Sequence, residues 1–190
     1  MRKRLIATFA ALTSLAAAPS APAAPLSVLD SFRIGNSGSV YCSAQNVSTD
    51  KALSGMFDAG YSMTCRDAAL PVGKLYKLRG PQEAARRLEA LRSAAIDCSA
   101  PRKDNVPDLG AVDVLDCRMK DADVSYRAYQ LVKGDTLYDA EGLAGYDSAL
   151  QLGLRSVVSD RRIPGEISIA TTGIGDPAAF ARVQAGTLDH

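Results

Sequence analysis

Four cysteines are the residues best suited to chemistry in this 190-residue chain. Cys42, Cys65, Cys98 and Cys117 are spaced by 23, 33 and 19 positions, and no Cys-x-x-Cys pair is present to start a zinc site. Their even number points to two disulfides formed in an oxidising compartment. Three pairings are open from sequence. Cys42–Cys65 with Cys98–Cys117 is preferred, because Cys98 closes a predicted helix and Cys117 closes the next predicted strand.

The other chemical options are narrow. The single histidine, His190, is the last residue, so a Ser-His-Asp or Cys-His site has no base to activate its nucleophile. Asp121-Ala122-Asp123 could open a calcium loop, but the later ligands and the closing Glu are missing. Gly173-Ile174-Gly175-Asp176 precedes a predicted helix. Asp176 at its N-cap would repel the anion that such a terminus otherwise attracts. The carboxylate pairs Asp113/Asp116 and Asp139/Glu141 read as surface acids, and Arg86, Arg87, Glu89 and Arg92 as a solvated helix surface. No catalytic residue, metal ligand or cofactor is assigned. Tyr126, Tyr129, Tyr138 and Tyr146 gather near Arg127 and Arg155, and Tyr and Arg are favoured at protein interfaces. Tyr138 and Tyr146 read as core. Arg127, Tyr129 and Arg155 are the candidate partner contacts.

The elements that must position these residues repeat once. Leu75-Tyr76 to Leu91-Arg92 and Leu137-Tyr138 to Leu154-Arg155 each run from an apolar strand through a glycine into an amphipathic helix. Ala84, Leu88, Leu91 and Ala95 form the apolar stripe of the first helix; Leu143, Tyr146, Leu150, Leu154 and Val157 form that of the second. Strands are predicted over 60–66, 72–78, 110–117, 124–132, 136–140 and 166–170, with Gly142 ending the fifth. Ser99 to Asp108 reads as a loop because it holds two prolines and several charges. The expected fold class is α+β: two β-β-α-β units in one compact, disulfide-stapled domain over 24–175. A C-terminal helix over 176–190 would open a missing helical-repeat region.

The N-terminus sets the expected compartment. Arg2, Lys3 and Arg4 precede an uncharged, Ala-rich run, and Ala21-Pro22-Ala23 is a small-x-small cleavage site. Residues 1–23 therefore read as a secretory signal peptide, with the mature chain in the periplasm or secreted. The formal charge of the chain is +1, and removal of the three leading basic residues leaves it near neutral. Neither nucleic acid nor, after cleavage, a membrane is an expected partner.

The segments LSGMFDAGYSMTCRDAALPVGKLYKLRG, DVSYRAYQL, EGLAGYDSALQLGLRSVV and TTGIGDPAAFARVQAGTLD resemble the N-terminal region of exported Gram-negative proteins that carry tetratricopeptide repeats and a CHAT domain, a relative of caspase-like peptidases. The repeats and the His-Cys dyad of such proteins have no counterpart in this chain. The resemblance implies an accessory module whose peptidase part lies elsewhere. The leading expectation is a non-catalytic interaction or scaffold module of the cell envelope with a protein partner. The alternatives are an accessory domain of an exported CHAT-type peptidase system and a small-ligand binder between the two halves.

Overall fold

The computed structural model describes residues 31–35, 42–47, 51–66, 68, 71–120 and 122–168. The expected signal peptide, the Gly173–Asp176 turn, the helix over 176–190 and His190 lie outside them. Among the described residues the fold is α+β: one nine-stranded antiparallel sheet and two α-helices.

The strands are β1 (Ser31–Ile34), β2 (Cys42–Asn46), β3 (Phe57–Cys65), β4 (Pro71–Arg79), β5 (Ile96–Cys98), β6 (Arg102–Val106), β7 (Gly110–Met119), β8 (Ser125–Lys133) and β9 (Thr136–Leu143). The helices are α1 (Pro81–Ser93) and α2 (Asp147–Ser159), the latter entered through a 3-10 turn over Ala144–Tyr146. The sheet order is β1-β2-β3-β4-β9-β8-β7-β5, and β6 also pairs with β7. Gly80 takes a positive φ of 67° to turn β4 into α1, and Pro81 occupies the first turn, where a missing N–H costs nothing.

The hairpins β3-β4 and β8-β9 meet at β4 and β9, which pair from Gly73↔Gly142 to Arg79↔Thr136. The two helices then lie on opposite faces of this centre. Tyr76, Leu78 and Leu137 pack with Ala84 and Leu88 of α1. Leu75 and Gly73 point the other way, against Gly153 and Leu150 of α2. Both faces of β9 are buried for that reason. α2 touches β1, β4, β8 and β9, strands spread across most of the sheet, so the sheet curls around it. Seven of its residues, Ala149, Leu150, Leu152, Gly153, Leu154, Ser156 and Val157, are buried, as expected of a helix enclosed on most sides. The buried face of β7 changes along its length: Val112 and Val114 are buried on the α2 side, Cys117 and Met119 on the other.

Both disulfides match the preferred pairing, Cys42–Cys65 and Cys98–Cys117. Each joins residues directly opposite in adjacent antiparallel strands, β2 with β3 and β5 with β7. Among the described residues no helix is long and apolar enough to cross a membrane.

Several expectations change. Cys98 does not close a helix: α1 ends at Ser93, and Cys98 ends the short strand β5. Ser99–Asp108 is not all loop: Arg102–Val106 forms β6, and its charges suit an edge strand, where side chains stay in water while the backbone pairs. Gly142 does not end its strand; β9 runs on to Leu143, and the glycine serves the close approach of β4. Residues 166–168 form no strand, so among the described residues the second hairpin and helix lack the third strand that a complete β-β-α-β unit requires. Ser168 is instead tied to Ser148 through the Ser148 hydroxyl, which donates to its carbonyl and accepts from its N–H.

Candidate functional site

Two polar networks lie back to back on the opposite faces of β8. The first is under α1. Arg92, in the last turn of that helix, turns inward with Ala84 and Leu88 and is 7% exposed. Its Nε donates to Glu141 Oε2 at 2.7 Å and its Nη2 to Asp139 Oδ1 at 2.5 Å. Gln130 Nε2 donates to the same Asp139 oxygen at 2.8 Å, and the Tyr126 hydroxyl hydrogen-bonds Glu141. These groups are therefore not the surface acids and solvated arginine expected above. The register explains it: Asp139 and Glu141 alternate on the α1 face of a strand buried on both sides, and Arg92 is the cation that covers them.

Burial works against the Arg92 charge, but the carboxylates of Asp139 and Glu141 outweigh it and hold the guanidinium well above its usual range. Asp139 carries the strain. Burial, reinforced by Glu141 and opposed by Arg92 and Gln130, pushes its carboxyl up to about 6. Its Oδ2 is buried with no hydrogen-bond donor among the described residues. The folded state thus holds a proton on Asp139 more tightly than the unfolded chain does. This group penalises folding above pH 6, and the penalty is relieved as pH falls through 6 towards the ordinary carboxyl range. The urea midpoint is expected to rise between pH 7.5 and pH 5, and Asp139→Asn to flatten that rise. A midpoint that falls steadily over this window in the parent protein would contradict the assignment.

The second network lies on the α2 side and is partly open. Arg127 Nε donates to Asp116 Oδ1 at 2.6 Å, and its Nη1 to Asp147 Oδ2 at 2.7 Å. Arg102 Nε reaches the other Asp116 oxygen at 2.9 Å. Although burial opposes it, these two arginines draw Asp116 below the usual carboxylate range. Tyr129 donates its hydroxyl to Asp147 Oδ1 at 2.9 Å and accepts from Gln151 Nε2 at 3.2 Å. Burial and the nearby Asp147 push the Tyr129 hydroxyl up to about 12, so it remains a donor. Burial also raises Asp147, against the pull of Tyr129 and Arg127.

Beside this network lies a cleft of about 340 Å³. Asp97, Asp116, Arg118, Ser125 and Arg127 line it from one face of β5, β7 and β8, and Ala144 closes one side. The facing charges are two carboxylates and two guanidiniums, which suits a partner carrying both signs rather than a polyanion.

Of the three candidate contacts, Arg127 is half-buried and borders the cleft. Tyr129 is 1% exposed and meets Arg127 through Asp147, so it holds the arginine's carboxylate partner in place. Arg155 stands apart from the cleft, paired with Asp108 in the β6-β7 turn. Tyr138 and Tyr146 are core residues, and Lys77 is buried with its Nζ 5.9 Å from the Tyr138 ring centre. Sequence reasoning missed Asp97, Arg118 and Ser125 of the cleft, Arg102 and Gln130 of the networks, and, on α2, Asp147 and Gln151. The spacing of four between these last two, continued by Arg155, marks a polar stripe on an otherwise apolar helix. Scans against protein-family models, curated proteins and solved structures return no match for this chain.

Proposed function

We propose that the protein is a non-catalytic, exported interaction module that binds a protein partner across the face bearing Arg118 and Arg127. One observation carries this reading: an open cleft pairs opposite charges on one face of the sheet, while the buried acids and arginine are spent on one another inside the fold. The hydroxyls in these networks, Tyr126 and Tyr129, each meet a carboxylate that is itself paired to an arginine. Export is supported by the two disulfides, which persist in oxidising compartments. The central β4-β9 ladder is continuous and covered by a helix on each face, which gives less support to a ligand held between the halves.

We also read the hairpin-and-helix as the unit that is repeated. In each copy the tyrosine of the Leu-Tyr pair faces the side covered by its own following helix, and the leucine faces the opposite side. That phase survives although the surrounding charges differ.

Arg118 is well exposed, with only a long pairing to Asp123 at 3.3 Å. Charge reversal there leaves the core untouched. Immobilised protein is expected to retain a specific partner from a periplasmic extract, and Arg118→Glu to reduce that retention about tenfold. Arg86→Glu, on the far side of α1, should not change it. Equal retention by all three proteins, or none by the parent, would overturn the reading.

A further inference from the structure

We infer that Cys98–Cys117 is a thiol-exchange site, open to attack by a dithiol reductant, and that Cys42–Cys65 is not. The two bridges share a cross-strand placement but differ in everything around it. Cys42 and Cys65 are 0% and 2% exposed, on the α2 side of interior strands with Ala44 and Met63. Cys98 is exposed, at the end of a three-residue strand on the sheet edge, and Cys117 is 7% exposed behind it.

The local backbone adds a second distinction. β5 and β6 pair with the same side of β7, as one edge strand broken in the middle. Cys98 faces Cys117 and Arg102 faces Val114, so Ser99, Ala100 and Pro101 oppose only Leu115 and Asp116. This extra residue is a bulge, and Pro101 within it lacks an N–H for the ladder. Beyond the bulge, β5 is held by its three register pairs, by Ile96 in the core, by an exposed Asp97–Lys120 ion pair and by two flanking backbone bonds, Ser99 N to Asp116 O and Lys120 N to Ala95 O. An edge so short and so interrupted can admit an attacking thiolate without opening the core.

Exchange starts when a reductant thiolate attacks the sulfur of Cys98, the more exposed residue of the two. The Cys98–Cys117 bond breaks, and Cys117 leaves with the electron pair as a thiolate that takes up a proton. The second thiol of the reductant then displaces Cys98 from the mixed disulfide. The products are two protein thiols and an oxidised dithiol, a balanced two-electron exchange. Asp97, which lines the cleft, belongs to the strand that is released from its staple. The site stands whether or not the cleft binds a partner.

The test is to titrate the oxidised full chain with dithiothreitol in native buffer, block thiols with N-ethylmaleimide and map them by mass spectrometry. Cys98 and Cys117 are expected to become labelled together while Cys42 and Cys65 stay bonded and the far-ultraviolet dichroism is unchanged. Emergence of all four thiols together, of Cys42 and Cys65 first, or of none before global unfolding overturns the inference. Single variants test the direction of attack. The free Cys98 of Cys117→Ser should react with an aromatic disulfide reagent about tenfold faster than the free Cys117 of Cys98→Ser. Equal or reversed rates overturn the assignment of Cys98 as the attacked sulfur.

Discussion

Arg92→Ala is expected to lower the unfolding free energy by about 3–5 kcal/mol, the cost typical of removing one partner from a buried ion pair. Asp139 is fully buried and Glu141 nearly so, and each depends on a different nitrogen of the same guanidinium. Truncation leaves two carboxylates at alternate positions of one strand face with no cation between them. Arg92→Lys should recover little, because a single ammonium cannot reproduce the two-pronged geometry. Neutralising the acids as well, in Arg92→Met with Asp139→Asn and Glu141→Gln, should return part of the loss, since most of the penalty is unpaired charge. Arg86→Ala, on the solvent side of α1, should stay within about 0.5 kcal/mol of the parent. Urea midpoints measured at pH 7.5 read the four variants against the parent. An Arg92→Ala midpoint equal to that of Arg86→Ala would show that the cluster does not hold α1 to the sheet.

The next largest effect is expected from Gly142→Ala, at about 3 kcal/mol or somewhat more, the upper range for overpacking. An added Cβ would run into the Val72 carbonyl oxygen and lie 2.7 Å from Gly73 Cα. Both obstacles are backbone, so no rotamer change relieves them; β4 and β9 would have to separate. Gly153→Ala is the informative comparison. Its Cβ would meet Leu75 Cδ1 at 2.9 Å and Cδ2 at 3.0 Å, atoms at the end of a side chain that can shift. Alanine also gains helix propensity in α2. The Gly142 variant should therefore have the lower urea midpoint and lose amide-exchange protection along β4 and β9. The reverse order of midpoints would be incompatible with backbone contact at the junction.

These two positions show what could be read from sequence and what could not. The hairpins, both helices and the core tyrosines were legible because hydrophobic period and turn chemistry are local signals. The cysteine pairing was legible only as a preference, since spacing alone does not choose among three connectivities. Gly142 misled because a glycine after an apolar run usually marks a strand end. Its reason for being there is β4, which lies some 70 residues earlier in the chain. Arg92 misled in the same way: on its own helix it falls beside exposed arginines, and only the β9 register supplies its partners. A weak signal was present, since two acids at alternate positions of an otherwise apolar strand require a cation from elsewhere. The β6 strand was hidden by its charges, which describe an edge rather than a loop. The cleft depends on β5, β7 and β8 coming side by side, and no local pattern encodes that.

The opposed placement of α1 and α2 across β4 and β9 has a consequence for assembly. Each hairpin and the helix after it closes over a short stretch of chain and can form early. Neither disulfide spans the β4-β9 ladder: one lies in the first hairpin region and the other joins β5 to β7. Pairing β4 with β9 closes the 79–136 connection, and Cys98–Cys117 shortens that loop because both cysteines lie within it. Pairing of β4 with β9 should then limit the folding rate; oxidising Cys98–Cys117 beforehand should speed that step, and oxidising Cys42–Cys65 should not.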